Sequence, residues 1–474
     1  MLTNKELIIL KRDLVYFDKF LNKLDHYDIL YLTRSKVKNV FSSFDIYREW
    51  ERIGEDIKKG ITSNKLEMYI HIPFCEEFCD FCVYYKQLLI KNKEEILEKY
   101  INYLIKQMEF YAPAFNGSIF KCLSVGGGTP SILSAQQIEK LFGKLFSLFE
   151  FDDFSYKGIE FRPSSTNEDK LRAIKKVGFE TIHFGVQSLD NEVLDNMNRA
   201  LDTEDKLREA IQLVKKYDFD DLIIHLIRGL RGDTIEKFSY TLETLCSLGV
   251  SKINIYGLIT NEYYLKKHYG INKNEFYNGW YTQFSGLLKK IIPPIAGRYN
   301  FTYLNKLDIY DHAWTLKNNI YVKSRQKYGY GDITEESINL FGFGPTARSY
   351  REGKIIYEGE KKIIYDFFPN DKIYLGSRLT KRDEMEKTIL TSFRDCDKIS
   401  RKYFYHLYGI DILNEFQKEL DILLFLKKII IEEDFIIFLE TNKKMRMLYC
   451  MFIVGRNKIR SSIESNHWEK DIKW

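Results

Sequence analysis

Three cysteines stand close together in the first quarter of the chain, as Cys75-x3-Cys79-x2-Cys82. Thiolates at that spacing on one loop can converge on a single metal centre. A 4Fe-4S cluster held by three thiolates keeps one iron open, and the amino and carboxylate groups of an amino acid can chelate that iron. A structural zinc site is the alternative, and it needs a fourth ligand. No Cys or His follows in the loop, which continues Val83, Tyr84, Tyr85, Lys86, and His71 upstream falls inside an expected strand. The spacing therefore favours the cluster over zinc. A second signal is Val125-Gly126-Gly127-Gly128-Thr129-Pro130. Three glycines let a backbone approach a ligand closely and leave amide donors free, which suits a charged amino-acid moiety.

The elements that must position these residues alternate. Short apolar runs at 68–73, 122–127, 158–163, 181–188, 222–227 and 251–258 read as strands, with helical patterns between them. Ser134 caps the helix at 134–149 with Gln137 at the capping-box position, and Ile138, Leu141, Phe142 and Leu145 repeat at helical spacing. Further helices are expected near 167–176, 190–216 and 234–247. Six strand–helix units imply a parallel sheet that falls short of a full eight-unit barrel. The expected fold is α/β, a partial (β/α)6 barrel, with chemistry at the C-terminal ends of the strands. The cysteines, the glycine loop and Gln187 all fall there. Residues 1–66 read as a helical extension without a strand, 67–300 as the barrel, 301–370 as an irregular connection that completes the active site, and 371–474 as a mostly helical domain with a small strand pair near 429–440. Asn339–Tyr350 reads as a glycine-rich turn.

Composition narrows the function classes. With 474 residues, 45% of them hydrophobic, the chain can bury a large core, and a net charge of +5 gives little reason to expect nucleic acid as partner. No run is long and apolar enough for a membrane span, and the N-terminus carries no signal-peptide pattern. Seven cysteines are an odd number, and Cys122, Cys246, Cys396 and Cys450 are scattered. The pattern reads as a cytoplasmic metal-binding protein and not as a disulfide scaffold.

Taken in order, Tyr69-Ile-His-Ile-Pro-Phe-Cys75, Cys79 and Cys82, Gly126–Pro130, and Gly185-Val-Gln187-Ser188 resemble the oxygen-independent coproporphyrinogen III dehydrogenase family, a HemN-like branch of the radical S-adenosylmethionine (SAM) superfamily. The similarity runs from about 67 to 260. It resumes weakly at Gly342–Tyr350 and again at Glu384-Met-Glu386 and Tyr408-Gly-Ile-Asp411. The resemblance implies that Cys75, Cys79 and Cys82 ligate the cluster and that its open iron binds the methionine part of SAM. It implies that Tyr69 lines the site near the sulfonium, and that Gly127, Gly128 and Thr129 meet the cofactor amino group. Glu160 and Gln187 are implied to bind polar cofactor groups, with Tyr69 and Gln187 nearest the chemistry, and Arg199 to pair with the cofactor carboxylate. It further implies two molecules of SAM, reductive cleavage to a 5′-deoxyadenosyl radical, a small-molecule substrate of tetrapyrrole type, and an electron donor of flavodoxin or ferredoxin type. The chain is expected to act as a monomer.

Three departures shape the expected chemistry. Tyr84 stands where the dehydrogenase keeps a fourth cysteine. His225 stands at an acidic cofactor-contacting position, within His225-Leu-Ile-Arg228-Gly-Leu-Arg231-Gly-Asp233-Thr234, and Arg228 and Arg231 are two added cations that could meet substrate carboxylates at the mouth or face solvent. Residues 1–66 and 259–340 exceed the short heme-chaperone branch. The run Cys82-Val-Tyr-Tyr-Lys-Gln87 resembles the branches that open heme while transferring a methyl group, and the methylases. The expectation is therefore a SAM-dependent alkyl transfer, with the dehydrogenase and the heme chaperone as alternatives.

Overall fold

The computed structural model describes residues 10–15, 39–260, 262–304, 313–318, 338–395, 397–441 and 443–455. Its centre is one sheet of thirteen strands. These are β1 (Asn39–Ser42), β2 (Leu66–Ile72), β3 (Ile119–Gly127), β4 (Glu150–Phe161), β5 (Thr181–Gln187), β6 (Asp221–Arg228), β7 (Lys252–Gly257), β8 (Phe301–Leu304), β9 (Ala313–Asn318), β10 (Asn339–Phe343), β11 (Arg348–Arg351), β12 (Ile355–Gly359) and β13 (Lys372–Arg378). Their order across the sheet is β1-β13-β12-β11-β10-β2-β3-β4-β5-β6-β7-β9-β8. Strands β2 to β7 are parallel neighbours, the six units expected from the sequence.

Helices follow the strands and cover one face: α1 (Lys93–Tyr111), α2 (Ala135–Leu148), α3 (Glu168–Lys176), α4 (Glu204–Lys216) and α5 (Ile235–Ser247). The capping box of α2 forms as the sequence indicates, with Ser134 and Gln137 each bonding the other's backbone amide. The strands divide their residues by parity. Met68, Ile70, Ile72, Ile182, Phe184, Leu222 and Ile224 belong to the core shared with the helices. The alternate positions, among them Tyr69, His71, His183 and His225, hydrogen-bond to one another across the concave face. A parallel sheet covered on both sides is ordinarily apolar throughout, so a polar inner face marks the place of function.

The structure differs from the sequence reading at four places. Residues 39–42 form β1, an antiparallel edge partner of β13, where only helix was expected. Two apolar residues in four carry no usable period, and the partner strand is more than 300 residues away in the chain. Residues 372–378, assigned to the helical domain, are β13 of the main sheet. The glycine-rich turn at Asn339–Tyr350 begins and ends in strands, and β10 lies parallel to β2, adding a seventh parallel strand. The last part of the expected barrel, to which no helix was assigned, contains α6 (Tyr281–Arg298), which buries Phe284, Ser285, Leu288, Ile292, Ile295 and Ala296 at helical spacing. Pro293 and Pro294 inside it hide that period, because proline removes a helical amide donor.

A second core gathers Met385, Ile389, Phe393, Phe404, Phe416, Leu423, Ile436 and Met451, and Leu10 packs into it. It surrounds a small sheet in which Phe435–Phe438 pairs with both Ile429–Ile431 and Lys398–Ser400. Residues of the expected N-terminal extension are thus divided: Leu10 joins this core, while Phe41, Ile46 and Trp50 join the barrel core. Cys396 and most of residues 305–337 lie outside the described residues. Among the described residues no helix is long and apolar enough to cross a membrane.

Candidate active site

The cysteine loop leaves the end of β2, the sixth strand of the thirteen. Cys75 is buried, while Cys79 and Cys82 are partly exposed. Burial pushes the Cys75 thiol up to about 11, against a hydrogen bond from Thr129 that lowers it; metal binding there must displace a proton. Among the described residues, no three Cys, His, Asp or Glu side chains gather as ligands of one ion. Three cysteines with no fourth Cys or His in the loop match a cluster that keeps one iron open better than a structural zinc, which takes four ligands. Two sulfurs already accept hydrogen bonds, Cys75 from the Thr129 hydroxyl at 3.4 Å and Cys79 from Arg199 Nη1 at 3.5 Å. Bonds of this kind tune a cluster's potential.

The loop is anchored by ion pairs that the sequence reading missed. Arg162, just past β4, reaches Glu77 and Asp202, each at 2.6 Å. Arg199 reaches the same Asp202 at 2.7 Å, and Asp202 is buried. The backbone amide of Ser164 donates to its other oxygen at 3.2 Å. Glu77 lies between Cys75 and Cys79, so the network ties the cluster loop to the ends of β4 and β5. Nothing local in the sequence marks Asp202, because its burial and its partner Arg162 come only with the fold. Arg199 also donates to the Gly185 carbonyl. Its Nε, buried and without a hydrogen bond, is the donor left over. A carboxylate ligand would gain a bidentate grip only by displacing Asp202 or Gly185.

The glycine loop lies against the start of the cysteine loop. A Cβ at Gly128 would stand 2.5 Å from the Phe74 carbonyl oxygen, and one at Gly127 2.8 Å from the His71 ring. Gly127 also has φ +114°, which side-chain residues rarely adopt. The expectation of free amide donors fails here. The amides of Gly128 and Thr129 donate to the carbonyls of Ile72 and Phe74, both at 2.8 Å, because pairing with β2 continues into the loop. The loop positions Cys75, and carbonyl oxygens are the acceptors such a backbone can turn toward an ammonium group.

On the concave face, alternate positions His183, Gly185 and Gln187 of β5 are partly exposed between buried neighbours. Gln187 sits at a bulge with φ +69°, a left-handed conformation that is strained for glutamine. Its side chain folds back over Gly185, where a Cβ would stand 3.2 Å from Gln187 Nε2. Gln187 Oε1 is buried without a hydrogen bond. The Glu160 carboxylate lies beside Gly126, about 3 Å from where a Cβ would be, and burial pushes its pKa up to about 7. Tyr69 donates its hydroxyl to His71 Nδ1 at 3.1 Å, and His71 Nε2 donates to the Tyr85 carbonyl at 3.1 Å. Burial lowers the His71 pKa to about 4, so it is neutral.

Tyr69, Glu160 and Gln187 thus share the concave face, while Thr129 and Arg199 touch the cysteine sulfurs. A buried acceptor without a partner is expensive, and Gln187 Oε1 fits a donor group of a polar ligand. Arg228 does not reach the mouth as envisaged. It is fully buried on the helix side, with Nε donating to Ser285 at 3.4 Å and Nη1 to the Ile255 carbonyl at 3.3 Å. Its position in β6 has the outward parity. Tyr84 is 67% exposed, whereas Tyr85 packs against the barrel core.

Residues 69–245 match the sequence profile of the radical SAM superfamily. The heme chaperone HemW of Bacillus subtilis is 25% identical over 355 residues, covering 72% of this chain and 86% of that protein. The oxygen-independent coproporphyrinogen III oxidase of Escherichia coli is 30% identical over 191 residues, 40% of this chain and 41% of that protein. The solved structure of that enzyme, HemN, described as a radical SAM enzyme, superposes with a TM-score of 0.70 at 20% identity, covering 88% of this chain and 94% of that one. At that identity the superposition shows the fold.

Proposed function

We propose, for a chain that belongs to the radical SAM superfamily among relatives of the HemN and HemW type, that it cleaves SAM reductively and uses a second SAM to transfer an alkyl group to a tetrapyrrole or another conjugated ring, in the cytoplasm. The observation that carries the SAM site is the pairing of a three-thiol loop with unpartnered buried polar atoms beside it, Gln187 Oε1 on the adjoining concave face and Arg199 Nε next to the Cys79 sulfur. Cys75, Cys79 and Cys82 would hold the cluster. When bound, the cluster would supply the electron for reductive cleavage of SAM to methionine and a 5′-deoxyadenosyl radical, the species that would take a hydrogen from the substrate.

The chain's own residues supply position and shelter. Glu160 and Gln187 offer acceptors to ammonium and hydroxyl groups. The Gly127–Thr129 turn holds Cys75 at the strand end. Arg199 steadies Cys79. Tyr69, with its hydroxyl turned to His71, forms part of the wall. Tyr84 in place of a fourth cysteine supports alkyl transfer over the oxidase reaction named for the E. coli relative. The heme-chaperone reading draws on the B. subtilis relative, whose alignment spans most of both chains.

The test is product analysis after anaerobic cluster reconstitution, with dithionite, SAM and a panel of hemes, porphyrinogens and heteroaromatic rings. Deoxyadenosine together with S-adenosylhomocysteine is the expected result. Deoxyadenosine without homocysteine would replace the proposal with the dehydrogenase reaction. Stoichiometric heme binding with neither product would replace it with the chaperone.

A further inference from the structure

Three side chains on the concave face form a hydrogen-bonded chain that the roles above leave unused. Tyr156 of β4 meets His183 Nε2 of β5 through its hydroxyl. His183 Nδ1 meets His225 Nε2 of β6 at 3.0 Å. The His225 ring also lies edge-on to Tyr256, with centroids 5.4 Å apart. The backbone accommodates the arrangement. A methyl group at Gly158 would overlap the Tyr156 hydroxyl, so only glycine lets that ring lie along its own strand.

The direction of the chain follows from what each atom can do. Tyr156 is buried, and burial holds its pKa well above the ordinary value, so it keeps its proton. Among the described residues His183 Nε2 is the one hydrogen-bond partner of that hydroxyl. Were Nε2 protonated, the phenolic proton would have no acceptor there, a loss of about 1–3 kcal/mol for a buried donor. Nε2 of His183 therefore accepts. A neutral imidazole then carries its proton on Nδ1, which donates to His225 Nε2. His225 in turn carries its proton on Nδ1. Burial lowers the pKa of both rings, that of His225 to about 4, which keeps the pair neutral. His225 Nδ1 has no hydrogen-bond partner among the described residues, and the residue is partly exposed on the concave face. The charged and titratable side chains facing the pair are Glu160, opposite His183 in register, and Lys252 on β7, whose charge also disfavours protonation.

We propose that Tyr156 and His183 are positioning residues that lock His225 as a neutral Nδ1–H donor, and that this donor meets an acceptor oxygen or ring nitrogen of SAM. The second half rests on the concave face being the SAM site. The polarity is the reverse of a carboxylate at the same place, which can only accept. Gln187 Oε1, one position further up the neighbouring strand, supplies the acceptor, so the two together match a ligand edge that offers both a donor and an acceptor.

The experiment is 15N NMR on histidine-labelled protein carrying the oxidised, EPR-silent cluster, with His225→Leu to assign the signal. The expected wild-type spectrum shows His225 in the Nδ1–H tautomer, and Tyr156→Phe mixes the two tautomers. A wild-type Nε2–H tautomer, or a tautomer indifferent to Tyr156→Phe, overturns the lock. SAM binding is then measured by equilibrium dialysis on the same samples. His225→Leu should weaken it about tenfold, the scale of one hydrogen bond. Tyr156→Phe should weaken it about twofold, since half the molecules then present the donor. Wild-type binding that is unaltered by His225→Leu overturns the contact. Absence of SAM binding by the wild type would instead refute the SAM site itself. Gly158→Ala, which dislodges the Tyr156 hydroxyl, should repeat the Tyr156→Phe spectrum.

Discussion

Replacing Asp202 with Asn tests whether the cluster loop is held by its buried ion pairs. The carboxylate receives Arg162 at 2.6 Å and Arg199 at 2.7 Å, and its side chain is 1% exposed. Asparagine keeps the shape and an oxygen for the Ser164 amide, but removes the charge between two buried guanidinium groups. Removing one partner from a buried pair costs about 3–5 kcal/mol. Arg162 retains Glu77, yet that carboxylate is 36% exposed, and an exposed pair contributes about 1 kcal/mol or less. A net loss of about 3 kcal/mol follows, read as a lower urea midpoint with unchanged slope. The damage should be local as well as global. Arg199 steadies Cys79 and Glu77 precedes it by two residues, so iron retained per chain should fall several-fold. Glu95→Gln, which breaks the exposed pair with Lys99, is the control and should leave the urea midpoint unchanged. If Asp202→Asn behaved like the control and kept full iron, the anchoring role assigned to this network would be wrong.

Other outcomes follow from the same geometry. Gly128→Ala forces a methyl against the Phe74 carbonyl; overpacking costs about 1–3 kcal/mol, and the visible iron–sulfur absorption should drop because Phe74 carries Cys75 with it. Burial raises the Glu160 pKa to about 7, so a cationic or donor ligand that needs the carboxylate binds more tightly as pH rises through 7. SAM affinity should fall about tenfold between pH 8 and 6, and Glu160→Gln should flatten that dependence in dialysis. Asp233 is pushed up to about 8 by burial, above its unfolded value. Folded protein then binds the proton more strongly than unfolded protein, so stability falls as pH rises from about 4 to 8. Asp233→Asn should remove that slope and gain most at pH 8 in urea unfolding.

The sequence displayed most of the parallel core clearly because its middle strands are each followed within a few residues by a helix; α1, which starts at Lys93 only after the cysteine loop that follows β2, was not read. Its cysteine spacing and glycine triplet were equally legible, being local. What escaped reading depends on distant partners. Asp202 looks like any acidic residue until the fold brings Arg162 beside it. The tie between Tyr156 and His183 exists only across two strands, and nothing in either neighbourhood announces it. Arg228 misled in the opposite direction: adjacent residues in a strand face opposite sides, and counting from His225 puts it outside. The polar inner face was written in that same parity, as His183, Gly185 and Gln187 alternating with Ile182, Phe184 and Val186.

The pairing of β2 with β10 has a consequence for how the protein is made. The side chains of Thr62 and Asn339, bonded across that junction, are 277 residues apart in the chain, and Trp50 bonds Tyr357 across 307. During synthesis the three cysteines emerge long before the strand that covers one flank of β2. Until then β2 is an open edge, a template for unwanted pairing. Closing a loop of that length is also slow. Metal loading that waits for the finished chain would meet a strand already fixed on both sides, and the timing of iron delivery relative to release from the ribosome becomes a property written into the sheet order.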